Sequence, residues 1–288
     1  MTIREALQGK ARDSEILLSF VLKKNKAWLF ANPDFKVPNL QLKTYNSLIH
    51  RRASRWPIAY LTGHKEFYGL DFKVDKNVLI PRPETELLVE LALKGLRVEG
   101  TGYRNIIDVG TGSGAIIISI VKFTKSKATF FATDILNTAL KVAKSNARRH
   151  GVAKKIKFIK SDLLSNLQLT THNSPTLIIA NLPYLTPRQM KNPDLKHEPK
   201  NALVAGKGGL KYYRELFKQM AVLRHPRPDR GSRLDSRLRG NDATLLLEHD
   251  PSQVAKLKSL AKKYFPKAKP IFHKDLSNRY RVVEILID

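Results

Sequence analysis

From Arg104 onward, short apolar runs alternate with longer helix-like segments. "NIIDVG", "ATFFATD", "KIKFIKSD" and "TLIIAN" read as strands, with "GAIIISIVKF" and "ILNTALKVAKSNARRHG" as helices between them. This alternation constrains the chain more than any other feature. Strands joined through helices pair in parallel, and a parallel sheet needs helices over both faces. The expected fold is therefore α/β, with a mostly parallel sheet. After a helix over "GLKYYRELFKQMAVL" and a strand over "ATLLLEH", the closing "KPIFHKDLSNRYRVVEILI" reads as two strands around a polar loop, so the sheet is expected to end in an antiparallel hairpin.

The first 64 residues have a different pattern. "SEILLSFVLKK", with Ser14 as candidate cap, and "LQLKTYNSLIHRRAS" carry apolar residues at three- and four-residue spacing, which predicts a small helical bundle over 1–64. "KEFYGLDFKVD" predicts a hairpin around Gly69-Leu70-Asp71 within a linker over 65–83, and "IPRPETELLVELALKGL" has the prolines and first-turn acids of a helix start. Residues 84–288 form the second and larger unit. One segment within it has no apolar face. "RHPRPDRGSRLDSRLRGND", 224–242, holds six arginines, two prolines and a short repeat, Ser232-Arg233-Leu234-Asp235 then Ser236-Arg237-Leu238-Arg239. It reads as an exposed insertion or as an arginine-rich RNA contact.

Composition narrows the chemistry. With no cysteine there is no disulfide, thiolate nucleophile or cysteine zinc site, and the eight histidines form no HExxH pair, so no metal is expected. No apolar run approaches the roughly 18–20 residues that span a bilayer. The N-terminus lacks the apolar stretch of a signal peptide, and a cytoplasmic location is expected. Lys and Arg number 52 against 25 acids, a formal charge of +27. Such a charge favours encounter with RNA, ribosomes or acidic protein surfaces, or belongs to a solvated lysine surface, since the lysines are scattered and no interleaved aromatics accompany them.

"DVGTGSGA", 108–115, follows a strand and opens a helix, the context of a glycine-rich nucleotide loop. Asp134 ends the next strand, where a carboxylate can accept from ribose hydroxyls. Gly110-x-Gly112-x-x-Ala115 also fits the loose dinucleotide pattern. Asp108 before the first glycine, in the form D-x-G-x-G-x-G, and Asp162 in "SDLL", placed to meet an adenine amino group, favour S-adenosylmethionine. Asp108, Asp134, Asp162 and Asn181 then stand at four strand ends, where ligands of open α/β sheets sit. Taken singly, each aspartate reads as a cap or turn residue.

The fourth strand stops at Asn181-Leu182-Pro183-Tyr184, which resembles the (Asn/Asp)-Pro-Pro-Tyr motif of methyltransferases acting on planar nitrogens. An amide nitrogen is a poor nucleophile because its lone pair is delocalised. Two acceptors that hold its N–H groups, the Asn181 side chain and the Leu182 carbonyl, can instead orient it toward a methyl donor. Pro183 biases Leu182 toward extended geometry, and Tyr184 can lie against a flat group. The bland alternative is a strand-terminating turn.

Over nearly its full length the chain resembles the release-factor-specific protein-(glutamine N5) methyltransferases. The matching blocks are "RWPIAYLTGHKEFYGLDFKVDKNVLIPRPETELLVE", "IIDVGTGSGAI", "ATDILNTALKVAKSNARRHG", "HEPKNALVAGKGGLKYYREL" and "KDLSNRYRVVEI". The resemblance implies a Rossmann-like class I methyltransferase sheet with an N-terminal helical domain for substrate recognition. It implies S-adenosylmethionine as cofactor and the glutamine of a Gly-Gly-Gln tip on class I peptide chain release factors as substrate. By position, Gly110, Thr111, Gly112, Ser113, Gly114 and Asp134 would hold the cofactor with Leu163 beside its adenine. Asn181 to Tyr184 would clamp the glutamine amide, and Arg82, Glu84 and Thr85 would line the pocket. The chain departs from the family at Leu182, where a proline is usual, at Asp250, where a glycine is usual, and at the arginine-rich insertion. Asn-Leu-Pro-Tyr is also the form found in ribosomal RNA adenine-N6 dimethyltransferases, but those begin with the cofactor domain, whereas about 100 residues precede the glycine loop here. A third reading is a release-factor or ribosome-binding protein whose catalysis is impaired.

Overall fold

A computed structural model describes residues 1–8, 13–98, 102–167, 174–224 and 243–287. The chain begins with α1 (Ile3–Leu7), α2 (Ser14–Leu22), α3 (Lys26–Ala31), α4 (Asn39–Ala53) and α5 (Ile58–Thr62). These helices enclose their own core of Ile3, Leu17, Leu18, Leu29, Tyr45, Leu48 and Leu61, with the Tyr45 hydroxyl donating to the Ala6 carbonyl at 3.0 Å. Ser14 does not cap α2. It is the first helical residue and is buried, and the cap position falls to Asp13. The Asp13 carboxylate accepts from Arg52 Nε and Nη2 at 3.1 and 2.9 Å, so it ties α2 to α4 and makes no side-chain cap bond.

The hairpin follows as β1 (His64–Phe67) and β2 (Leu70–Lys73). Its turn is Tyr68-Gly69, with φ of 52° and 71°, the left-handed pair that a two-residue hairpin loop requires. A 3-10 turn over Pro83–Thr85 then leads into α6 (Glu86–Arg97).

The remaining elements are β3 (Asn105–Val109), α7 (Ala115–Phe123), β4 (Thr129–Asp134), α8 (Asn137–Arg149), β5 (Ile156–Lys160), β6 (Thr176–Ala180), α9 (Lys211–Arg224), β7 (Ala243–Glu248), α10 (Val254–Tyr264), β8 (Ile271–Lys274) and β9 (Tyr280–Ile287). They build a seven-stranded sheet of order β5-β4-β3-β6-β7-β9-β8. The first five strands in that order run parallel, and β9 pairs antiparallel with both β7 and β8, as the closing sequence predicted. β3, β6 and β7 are buried throughout. Alternate side chains serve opposite faces. Ile106, Leu177, Ile179 and Leu246 pack with α6 and α7, while Ile107, Ile178, Leu245 and Leu247 pack with α9 and α10. The arginine-rich insertion expected over 224–242 lies outside the described residues, apart from the backbone of Arg224 that closes α9.

One buried side chain joins the hairpin to the sheet domain. Asn146 of α8, fully buried, donates through Nδ2 to the carbonyls of Lys73 (3.0 Å) and Ser113 (2.8 Å), and its Oδ1 accepts from Lys73 N (2.8 Å). Asn146→Ala is expected to lower the unfolding free energy by about 2–3 kcal/mol, since it strands several buried backbone groups at once. The midpoint of urea denaturation measures it, and a loss below about 0.5 kcal/mol would contradict that role. No helix among the described residues is long and apolar enough to cross a membrane.

Candidate active site at the switch point of the sheet

The strand order reverses between β3 and β6, and a crevice opens beyond their carboxyl ends. It is a cleft of about 400 Å³, lined by Gly110, Thr111, Gly112 and Ser113 after β3, Asp134 at the end of β4, Asp162 and Leu163 after β5, and Asn181, Leu182 and Pro183 after β6. Thr85, the wall Val78–Pro81, Asn201 and Tyr212 complete it. A smaller recess of about 150 Å³ adjoins the cleft and contains Arg82, Glu84, Tyr184 and Glu248. Both volumes share Asn181, Leu182 and Pro183 as wall.

The glycine loop is shaped by backbone geometry. Gly110 and Gly112 have φ of 73° and 53°, so the chain turns tightly and bares its backbone to the cleft at these two positions. Gly112 N donates to Asp134 Oδ2 at 3.0 Å and Leu136 N to Asp134 Oδ1 at 2.9 Å. Burial raises the Asp134 pKa and these bonds oppose the rise. Each oxygen keeps a further lone pair for a ligand hydroxyl. A polar carboxylate beside a bare glycine loop fits the ribose and chain of an adenosyl cofactor.

Two residues of the motif sit elsewhere. Asp108 does not line the cleft. It is fully buried beneath the loop, where its Oδ2 accepts from Thr111 Oγ1 at 2.7 Å and its Oδ1 has no partner among the described residues. Gly114 is also off the cleft. A Cβ there would meet Ile118 Cδ1 at 2.8 Å and Ala143 Cβ at 3.2 Å, so its lack of a side chain lets α7 approach α8. Both support the loop from behind.

Burial pushes the Asp108 carboxyl up to about 7, well above the usual carboxylate range, with the Thr111 bond opposing. Burial likewise raises Glu248 to about 7 from 4.5. An acid whose pKa rises on folding holds more protons folded than unfolded between those two values. Its contribution to stability is therefore complete below the unfolded pKa and is lost as pH rises through about 7. Between about pH 5 and pH 8 the melting temperature is expected to fall less in Asp108→Asn than in the wild type. Parallel pH profiles would contradict the assignment.

At the other end, Asn181 Nδ2 donates to Thr85 Oγ1 at 3.1 Å. Neither Asn181 Oδ1 nor the Leu182 carbonyl accepts a hydrogen bond among the described residues. Leu182 itself is 2% exposed and packs into the core, with its Cδ2 3.5 Å from where a Gly110 Cβ would stand. Tyr184 lines the recess and donates to Glu248 Oε1 at 3.1 Å. Burial and the Glu248 carboxylate keep the Tyr184 hydroxyl protonated. Its carbonyl accepts from Gln253 Nε2 at 3.0 Å.

Arg82, Glu84 and Thr85 all reach these volumes, Arg82 and Glu84 at the recess and Thr85 at the cleft. The Arg82 guanidinium is paired with the buried carboxylate of Glu198. Asp250 has φ of −68°, which any residue adopts. It caps the 3-10 turn Pro251–Gln253 and accepts from Gln189 Nε2 at 3.0 Å, so the position tolerates a non-glycine. Glu248 was not anticipated. Its signal in "ATLLLEH" is an acid closing a run of apolar residues, one step beyond the Ala180–Leu247 pair and so beside Asn181. Among the described residues no cluster of His, Asp or Glu is placed to hold a metal ion.

The comparisons agree with this architecture. A family model described as the PrmC N-terminal domain matches residues 2–63, and one described as a methyltransferase domain matches 102–221. The release factor glutamine methyltransferase of Coxiella burnetii is 41% identical over 198 residues, 69% of each chain. That of Dictyoglomus turgidum is 31% identical over 278 residues, 95% of this chain and 90% of its own. Among solved structures, the hMettl16 catalytic domain in complex with a MAT2A 3'UTR hairpin has a TM-score of 0.57 at 15% identity, covering 96% of this chain and 92% of that one. That likeness is one of fold.

Proposed function

The chain belongs to the release factor glutamine methyltransferase family, and we propose that it methylates the side-chain amide nitrogen, N5, of the glutamine in the Gly-Gly-Gln motif of class I peptide chain release factors, with S-adenosylmethionine as donor. The observation that carries this reading is the shared wall of cleft and recess, where neither Asn181 Oδ1 nor the Leu182 carbonyl accepts a hydrogen bond among the described residues.

Gly110, Thr111, Gly112, Ser113, Asp134, Asp162 and Leu163 would hold the cofactor. When bound, it supplies the electrophilic methyl group. The glutamine would enter through the recess, and its two N–H groups would donate to Asn181 Oδ1 and the Leu182 carbonyl, which points the nitrogen at the cleft. Tyr184 and Pro183 would bound the flat amide, Thr85 would stand between the two ligands, and Arg82 and Glu84 would border the recess. The apolar recess walls Leu79, Leu185, Leu195 and Leu203 would exclude water. The helices before residue 64 would contribute release-factor recognition. The Asn-Leu-Pro-Tyr spelling shared with RNA adenine dimethyltransferases has a packing explanation here, because Leu182 is buried under Gly110.

The test offers purified protein methyl-labelled S-adenosylmethionine with, separately, a class I release factor and ribosomal RNA. Label on the Gly-Gly-Gln glutamine is expected. Label on RNA, or none on the release factor, would overturn the proposal.

A further inference from the structure

We infer that the helical unit builds part of the glutamine recess: Trp56, through His197, holds the loop that carries Leu195 into the recess wall, and both are positioning residues for the glutamine. This rests on the function proposed above, and it gives the helices a second task beside recognition.

The loop runs from Thr186 to Ala202 and holds no α-helix or strand, only the 3-10 turns Gln189–Lys191, Pro193–Leu195 and Lys200–Ala202. Its base is tied, since Leu185 N donates to the Leu203 carbonyl at 2.8 Å and Ala205 N to the Leu185 carbonyl at 2.9 Å. Leu185, Leu195, Ala202 and Leu203 all line the recess. Leu195 lies well away from that base along the chain, and a long loop of this kind keeps one shape where something outside it grips it.

The grip comes from the connector between α4 and α5. His197 stacks on Trp56, with ring centroids 4.5 Å apart and planes 18° apart. His197 Nε2 lies 2.8 Å from the Ser54 carbonyl oxygen, which can only accept, so Nε2 carries a proton and donates it. Both contacts meet on one imidazole. Trp56 is itself anchored: it packs against the helical core, its N donates to the Arg51 carbonyl at 3.2 Å, and the Arg51 guanidinium lies 4.3 Å from its ring centroid. On the loop side, the Glu198 N donates to the Leu195 carbonyl at 3.1 Å, and the Glu198 carboxylate pairs with Arg82. His197 therefore sits between a turn that ends at Leu195 and the carboxylate that holds Arg82, and both of those residues line the recess. Arg55 and Asp194 also meet across this joint at 3.0 Å, but both side chains are more than half exposed and water screens the pair.

Hydrogen–deuterium exchange of the full chain, read by mass spectrometry, follows the loop, and kcat/KM with a class I release factor follows the consequence. Trp56→Ala and His197→Ala are each expected to speed exchange across 193–199 by about tenfold and to lower kcat/KM by about tenfold or more. His197 is only half-buried and lies outside the helical core, so its truncation tests the grip even where loss of Trp56 unfolds the helices. Affinity for S-adenosylhomocysteine should stay within about threefold, because Asn201 and Ala202 alone of this loop line the cleft. Trp56→Phe keeps a ring for His197 and should hold both readouts within about threefold of wild type. The double variant Trp56→Ala, His197→Ala should lose less than about twofold more than His197→Ala, since the histidine carries both contacts. Asp194→Asn removes only the screened pair and should stay within about twofold of wild type. With the wild type active, unchanged kcat/KM in His197→Ala overturns the inference and spares the proposed function, whether or not the loop exchanges faster. A lower kcat/KM with unchanged loop exchange overturns it too, as the side chains would then touch the release factor directly. A wild type that leaves the Gly-Gly-Gln glutamine unlabelled overturns the proposed function, and the positioning of glutamine with it.

Discussion

Asn181→Ala is expected to lower the turnover of glutamine methylation by about 10²- to 10³-fold, the loss found when one preorganised hydrogen-bond partner is removed from a reacting centre. In the proposed reaction the nucleophile is a carboxamide nitrogen with little basicity, and its N–H is far too weak an acid for the recess carboxylates Glu84 and Glu248 to deprotonate in advance. The rate must then come from geometry. Of the two acceptors that would hold the nitrogen, one is a side chain and can be deleted. The other, the Leu182 carbonyl, remains in the variant and accounts for residual turnover. The truncated residue also borders the cofactor cleft, so the cofactor affinity must be measured beside kcat. A change within about threefold in affinity, with kcat down by two orders or more, is the expected signature. A large loss of affinity with little change in kcat would assign Asn181 to cofactor binding instead.

The second large effect is expected far from the reacting atoms in sequence. Gly209→Ala should destabilise the protein by about 3 kcal/mol and reduce turnover at least about tenfold. Gly209 has φ of +68°, which alone costs an alanine about 1 kcal/mol. More serious, a Cβ there would overlap the Tyr184 carbonyl and Gln253 Nε2, which bond to one another at 3.0 Å. One contact is with backbone, so the Asn-Leu-Pro-Tyr segment itself would have to move. Gly206 provides the control. Its φ is +75°, but no atom lies within 4 Å of its added Cβ, so Gly206→Ala should cost only the conformational term of about 1 kcal/mol and leave turnover near wild type. Equal effects of the two substitutions, in urea denaturation and in kcat, would contradict the steric argument.

These two residues show where the sequence is legible. "TLIIANLPY" declares itself because a strand buried on both faces is written as a continuous apolar run, and its interruption by Asn and Pro is local. Gly209 lies in "VAGKGGL", where nothing nearby tells that the Tyr184 carbonyl, 25 positions upstream, presses against it. Glu248, Asn146 and Gln253 are hidden for the same reason, since their partners Tyr184, Lys73 and Gly209 are brought to them by the fold. The glycine motif marks the loop but not which of its residues face a ligand. Asp108 and Gly114 turn inward because β3 is buried throughout and α7 packs against α8. The short helices α1, α3 and α5, of five or six residues, are too brief for an apolar period to register. α10 lies in a lysine-rich stretch, where only Leu257, Leu260 and Ala261 mark a buried face.

The two-acceptor clamp is tested most directly by a crystal structure of the protein with S-adenosylhomocysteine and a Gly-Gly-Gln peptide. The expected result is the glutamine nitrogen within about 3 Å of both Asn181 Oδ1 and the Leu182 carbonyl, with its free face toward the sulfur. A glutamine bound with its carbonyl oxygen toward those two atoms, or lodged outside the recess, would contradict the account.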